Sequence, residues 1–461
     1  MPLTQRKLPA GPSKLPIAGT PTTRGWINDM RPMSSGKSSG VDQQERRSAH
    51  VLIPALRTGH FLSMCDSTGL MQHAVHSVPD RSHGYCVDDN ARALLLACAL
   101  GGPDSPRLPE VVTARFAAFI QHAWNPDTRR FRNFMSYDRR WLEDTGSEDS
   151  HGRTLWALGQ CARGDTDASR RRWAAALFAT ALPVVEHFSS PRAWGFTLLG
   201  LEACCPTVGG NHVLDRMRRL LADRLQSMFM DPKPQSWPNH WHWFEDVLAY
   251  DNARLPQALI QTGVTVQSAA YVEAGIRSLR WLTAIQTAPS GCFRPVGSTS
   301  FGTRFQRPAA FDQQPVEAAA TISACLAAAR AEGDAAWFSK AMDAFAWFLG
   351  RNELKTSLID LETGSCLDGL HPDRANANMG AESVLSYLLG LVELRSFQEN
   401  TVRDGPRPGS KVATDVENRA APERTSSGGS RIVNVPILEP PFLTPAPRSS
   451  AGRGKALQTR N

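Results

Sequence analysis

A chain of 461 residues, 41% of them apolar, is long enough for one large domain or two to three ordinary ones, with a sizeable core. Its net charge of +7 is uneven. Residues 1–50 carry eight Lys/Arg against three Asp/Glu and residues 403–461 ten against five, which leaves the stretch between them at −3. A mildly acidic body with basic ends lacks the basic face of a nucleic-acid binder, and no run reaches the ~18 apolar residues of a membrane span.

Nine cysteines, an odd number without a CxxC pair, read as reduced thiols in a cytoplasmic protein. Cys98, Cys161 and Cys325 sit in apolar runs as small hydrophobes. The N-terminus, MPLTQRKLPAGPSKLPIAGT, has no apolar signal core.

In chain order, residues 1–48 are rich in Pro, Gly, Ser and Thr without a period and read as a disordered tail. The body, 49–399, repeats. DDNARALLLACAL starts at 88, SEDSHGRTLWALGQC at 147, AWGFTLLGLEACC at 193, YDNARLPQALIQTG at 250, DQQPVEAAATISACLAAA at 312 and NMGAESVLSYLLGLVEL at 378. Each opens polar or small and turns Ala/Leu/Gly-rich, as a helix buried on every side does. Amphipathic stretches lie between them, at 109–124, 168–188, 272–286 and 333–350; in the first, Val112, Phe116, Phe119 and Ile120 form one stripe. Each repeat is thus one exposed and one buried helix. Six such hairpins close into an all-α ring, the (α/α)6 toroid. Strand signals are confined to 291–297 and 355–364. Residues 400–461, basic and rich in Pro, Ser and Gly, read as a second disordered tail.

The tetrapeptide Asp-Asn-Ala-Arg occurs twice, at 89–92 and 251–254, each time before an apolar run. An Asp or Asn at a helix start caps free N–H groups and suits the dipole, and an Arg one turn on pairs with a carboxylate. This explains the repeat without catalysis. In a ring of hairpins, however, the inner-helix N-termini share one mouth. Asp88, Asp89, Glu148, Asp149, Glu245, Asp246, Asp251, Asp312, Glu317 and Glu382 all fall there, more acids than capping needs. Crowding keeps one carboxyl protonated beside an ionised one, the division of labour of glycoside cleavage.

Aromatic rings suited to sugar faces accompany the acids: Trp237, Trp241, Trp243 and Phe244 in SWPNHWHWFED, and Tyr85, Tyr137, Trp141, Trp194 and Phe311 in or near connecting segments. Trp156, Trp281 and Trp347 lie inside helices and read as packing. His240 and His242 with Glu245, or His73 with His76, lack a third well-spaced ligand, so no metal is expected. His83, His151 and His371 are candidate bases or plain hydrogen-bonding residues. There is no GxSxG, Walker loop or GxGxxG unit, and no cofactor is called for.

The segments HSVPDRSHGYCVDDNARALLLA (76–97), FRNFMSYDRRWLEDTGSEDSHGRTLWALG (131–159), WHWFEDVLAYDNARLPQALI (241–260), FDQQPVEAAATISACLAA (311–328) and NANMGAESVLSYLLGL (376–391) resemble a bacterial family of six-hairpin, glycosidase-like domains, found alone or appended to GT-B-type glycosyltransferases. The resemblance covers roughly residues 50–398. It implies an (α/α)6 toroid, an oligosaccharide or polysaccharide substrate and a glycosyltransferase as a candidate partner. Two departures stand out: the chain has no GT-B domain, and its third repeat opens with SPRAWGF, without an acid.

The leading expectation is glycoside hydrolysis. Asp89 and Asp149 would be the acid/base pair, supported by Asp88, Glu148 and Asp251. Arg92, Arg153 and Arg254 would orient these carboxylates. Tyr85, Trp241 and Trp243 would bind sugar, with His151, Glu245, Asp312, Gln314 and Glu382 completing the binding set. The rivals are a sugar epimerase or lyase using His83, His151 or His371, and a non-catalytic glycan-binding module that partners a glycosyltransferase.

Overall fold

A computed structural model describes residues 53–101, 107–205, 212–230 and 241–404. The first tail lies outside them, as do Trp237, His240 and the second tail beyond Asp404.

Six inner helices form a closed ring: α2 (Val87–Ala99), α4 (Glu148–Gly164), α6 (Pro191–Cys204), α8 (Arg254–Thr265), α10 (Pro315–Glu332) and α12 (Ala381–Asp404). Each packs on the next, and α12 returns to α2. Five outer helices pack on the inner helix before them: α3 (Glu110–Ala123), α5 (Ala168–Ala181), α7 (His212–Met228), α9 (Ala269–Ile285) and α11 (Ala335–Phe348). The short α1 (Gly59–Ser63) packs on α12 in the sixth outer place. The first described residues are also tied to α12 by Arg395 Nη2, which donates to the Pro54 carbonyl at 2.5 Å. The architecture is the (α/α)6 toroid.

Small residues let the inner helices approach closely. A Cβ on Gly159 would lie 2.2 Å from the Gly200 carbonyl, and one on Gly152 2.6 Å from that of Ala193, so α4 and α6 meet backbone to backbone. Turns from an inner to the next outer helix are short where described. Ser268 accepts from Tyr271 N (3.4 Å) and Asp334 from Ala336 N (2.9 Å) to cap α9 and α11. Gly333 takes the left-handed conformation (φ 68°) that lets α10 turn within two residues. Returns from outer to inner helices are longer, and described residues of several of them gather at the N-terminal end of the ring.

Two returns together build a three-stranded antiparallel sheet, with β1 (Met71–Val75) and β2 (Val78–Cys86) from before α2 and β5 (Phe134–Met135) from before α4, in the order β1-β2-β5. Two-stranded ribbons follow, β3 (Trp124–Asn125) with β4 (Arg130–Phe131), and β6 (Gly369–Leu370) with β7 (Ala375–Asn376). The strand signals at 291–297 and 355–364 give isolated pairings only, such as Thr287 with Phe293 and Ile359 with Cys366. The longest strand, β2, was missed because it reads VPDRSHGYC. It projects from the ring, and only its last three residues are buried, so no alternation marks it. Among the described residues no helix is long and apolar enough to cross a membrane, and all nine cysteines are free thiols.

Candidate active site at the mouth of the ring

The N-terminal end of the ring opens into a cavity of about 430 Å³. Asp88, Asp89 and Arg92 reach it from α2, Arg153 from α4 and Glu382 from α12. Tyr250 and Gln314 reach it from just before α8 and α10, while His73, Phe134 and Asp368 close its rim.

The two Asp-Asn-Ala-Arg copies build the same local device. Arg92 Nη1 donates to Asp89 Oδ1 at 3.0 Å, and Arg254 Nε to Asp251 Oδ1 at 3.2 Å, each Arg three residues after its Asp. Each Asn ties the loop before it. Asn90 accepts from Leu70 N (2.9 Å) and donates to the Cys86 carbonyl (2.8 Å), whereas Asn252 accepts from Ala249 N (3.0 Å) and donates to Glu317 Oε2 (2.8 Å). The capping role is not observed. Neither α2 nor α8 has a side-chain N-cap, because both aspartates turn inward to arginines. The residue before each copy, Asp88 or Tyr250, faces the cavity instead.

The arginines link these carboxylates across the ring. Arg153 Nε donates to Asp88 Oδ1 and Nη1 to Asp251 Oδ2, both at 2.8 Å, and its guanidinium lies 4.1 Å over the Phe196 ring. Arg92 spans Asp89 and, through Nη2 at 2.8 Å, Glu382 Oε2. Asp89 and Asp251 are equally buried, at 3% and 0% exposure, but carry opposite protonation tendencies. Burial pushes the Asp89 carboxyl up to about 7; Arg92 opposes the rise, and Glu382 and Asp88 add to it. Burial also acts on Asp251, but Arg153 and Arg254 outweigh it and hold Asp251 below the usual range. Glu317, wholly enclosed behind Asn252, is raised by burial to about 8.

Other expected site residues sit elsewhere. Asp149 lies behind the cavity wall, where Tyr250 Oη donates to Oδ2 at 2.5 Å and the Ser190 hydroxyl to Oδ1. Glu148 Oε2 accepts from the Ser189 and Ser190 amides, both at 2.8 Å, and so anchors the start of α6. The acid missing from the third repeat is replaced by Arg192, which pairs with Glu245 at 2.8 Å. Asp246 pairs with Arg304, and Asp312 accepts from His371 Nδ1 at 2.8 Å, beside the cavity-lining Gln314. His83 Nδ1 bonds Asp80 Oδ2 at 2.8 Å.

Four assignments give way to packing. Trp241 and Trp243 are buried against Trp281, with ring centroids 4.9 and 5.8 Å away, because the loop before α8 folds back into the core. Tyr85 is buried and donates to Asp66 Oδ2 at 2.5 Å. His151 is enclosed between Phe131 and Phe188, with Nε2 3.0 Å from the Ala181 carbonyl. Burial lowers its pKa to about 3, so it is a neutral core residue.

Sequence reasoning passed over Tyr250, Asp368 and Phe134, and weighed His73 only as a metal ligand. The parallel DDNAR and YDNAR would have marked Tyr250, which stands where Asp88 does. Asp368 carries no such signal. The long loop before α12 brings it in, with Oδ1 held by Gly380 N (2.8 Å) and the Ser383 hydroxyl (2.7 Å). Among the described residues one cluster has metal-ligand geometry, Cys98, Cys161 and Asp165. It lies at the other ends of α2 and α4, and Asp165 is already bidentate to Arg170, with both contacts at 2.7 Å.

No family model and no curated sequence matches the chain. Solved structures do. A D-mannose isomerase superposes with a TM-score of 0.56 over 74% of this chain and 95% of that one, at 10% identity. A cellobiose 2-epimerase from Bacillus thermoamylovorans gives 0.55 over 72% and 95%, at 11% identity. A GH76 alpha-mannanase from Bacteroides thetaiotaomicron gives 0.52 over 75% and 95%, at 10% identity. At such identities the likeness establishes the shared toroid.

Proposed function

We propose that this protein is a carbohydrate-active enzyme that cleaves a glycosidic bond in the mouth cavity. Asp89 is its general acid, and Glu382 is the second carboxyl group, placed to activate water or to stabilise the developing positive charge. The observation that carries this reading is the Asp89–Arg92–Glu382 bridge. One guanidinium holds two carboxyl groups at the same cavity, one of them buried and protonated near neutrality. Unequal environments that separate two acids in this way assign acid and base. Glu382 therefore takes the place first given to Asp149, which meets the cavity only through Tyr250. That the three structural neighbours are named for mannose, cellobiose and mannan chemistry supports a sugar as the ligand.

A second reading is sugar epimerisation. His73 lines the cavity, edge-on to His83 at 4.7 Å, and burial and His83 lower its pKa. A neutral imidazole over a sugar-sized cavity is a general base, and two of the neighbours are named as an isomerase and an epimerase. One experiment separates the readings: incubation with a panel of oligosaccharides in D2O, followed by NMR. Hydrolysis releases new reducing ends without carbon-bound deuterium. Epimerisation through proton abstraction yields an isomer labelled next to its carbonyl carbon. Ligand-induced shifts without any product would reject both in favour of glycan binding alone.

A further inference from the structure

The opposite end of the ring holds a second cavity, of about 290 Å³. Five of the six inner helices line it with residues further along their length: Cys98 from α2, Trp156, Gln160 and Arg163 from α4, Gln257 and Gln261 from α8, Ser323 and Arg330 from α10, and Glu393 from α12. Its arginines differ from those of the mouth. Arg92, Arg153, Arg192 and Arg254 each carry an ion pair of 3.2 Å or less. Among the described residues neither Arg163 nor Arg330 makes one, although Glu393 faces the same space. Arg330 instead lies 5.1 Å over the Phe397 ring. A basic residue in a helix's last turn complements the dipole, which accounts for the two charges as such. It does not account for the amides gathered between them. The Gln257 amide oxygen accepts from Arg254 Nη1 at 2.8 Å, which commits the oxygen and leaves the amide N–H groups of this cavity-lining residue as its donors. Gln160 and Gln261 add donors and acceptors, and Trp156 adds a flat wall stiffened by Arg254 4.8 Å over its ring.

We infer that this far-end cavity is a second ligand site, for a small sugar acid or sugar phosphate. The oxyanion group would meet Arg163 and Arg330, and the hydroxyls would meet the glutamine amides. Among the lining side chains two arginines stand against one glutamate, Glu393, which already acts on Arg330; the formal side-chain charge of +1 favours an anion. Its volume lies at the small end of ligand pockets, about 300 Å³, and suits one monosaccharide. The inference is independent of the chemistry at the mouth.

The test is calorimetric titration of the full chain with glucose 6-phosphate, glucuronate, inorganic phosphate and glucose. Saturable binding of glucose 6-phosphate or glucuronate is expected, with glucose and inorganic phosphate at least about tenfold weaker. Whether the phosphate or the carboxylate sugar binds identifies the oxyanion. Arg330→Gln and Arg163→Gln each weaken binding at least about tenfold, the loss of one charge-assisted contact. Arg163 is exposed, so its variant keeps the test open if Arg330→Gln fails to fold. Asp89→Asn at the mouth leaves this binding unchanged. Absence of saturable binding by both charged sugars, equal binding of glucose or inorganic phosphate, or insensitivity to both arginine variants overturns the inference.

Discussion

Asp89 and Asp251 occupy equivalent places in two copies of one tetrapeptide, and the number of guanidinium groups around each sets its charge. Asp89 touches one and keeps its proton near neutrality; Asp251 lies between two and loses it. The sign for stability follows. Folding raises the Asp89 pKa from about 3.8 to about 7 and that of Glu317 from about 4.5 to about 8. Their contribution is therefore fully present below the unfolded values and is lost as pH rises through the folded ones, at most roughly 5 kcal/mol per group. Urea unfolding is expected to show stability falling between pH 5 and pH 8, with a shallower fall in Glu317→Gln; an unchanged slope in that variant would contradict the assignment. Asp251 acts in the opposite sense, and its contribution is lost only as pH falls below the usual carboxylate range. Arg153→Met leaves Asp251 buried with one partner fewer, and a loss of about 3–5 kcal/mol is expected in the same assay. The sequence made the carboxylates and arginines visible as a set. It did not show the pairs across the ring, Arg153 with Asp88 and Asp251 and Arg92 with Glu382, because they join residues 65 to 290 positions apart.

At the scale of elements, helix order and burial were legible in the sequence because runs such as VEAAATISACLAAA have no polar face, and such a helix can only be inner. The long returns were not legible. They place Trp243 in the core and Tyr250 at the cavity by backbone geometry that no hydrophobic period encodes. The close approach of α4 and α6 also rests on positions that look interchangeable with alanine. Gly159→Ala places a methyl group against the Gly200 backbone. It is expected to destabilise by about 1–3 kcal/mol despite alanine's better helix propensity. Gly164, with open space at its Cβ position, is the control: Gly164→Ala is expected to be neutral or stabilising by under about 1 kcal/mol. Chemical denaturation of the two variants separates close packing from general intolerance of substitution in α4.

The described residues form a ring with a polar axis. Closing six parallel inner helices side by side brings six N-termini to one end, and the long returns wall that end into a cavity. The same closure leaves the far-end cavity at the other. Arg254 lies between them, joined to Asp251 on one side and to Gln257 on the other. Fold and mouth thus follow from one repeat pattern. The reaction depends on a few side chains at the mouth, above all on whether Asp89 delivers a proton. The most direct measurement is the rate of release of reducing ends from a cleaved oligosaccharide by the wild-type protein, Asp89→Asn and Asp149→Asn. The account predicts a loss of about 100-fold or more in Asp89→Asn and a much smaller loss in Asp149→Asn, which acts only through Tyr250. Near wild-type turnover in Asp89→Asn, or a larger loss in Asp149→Asn, would contradict it.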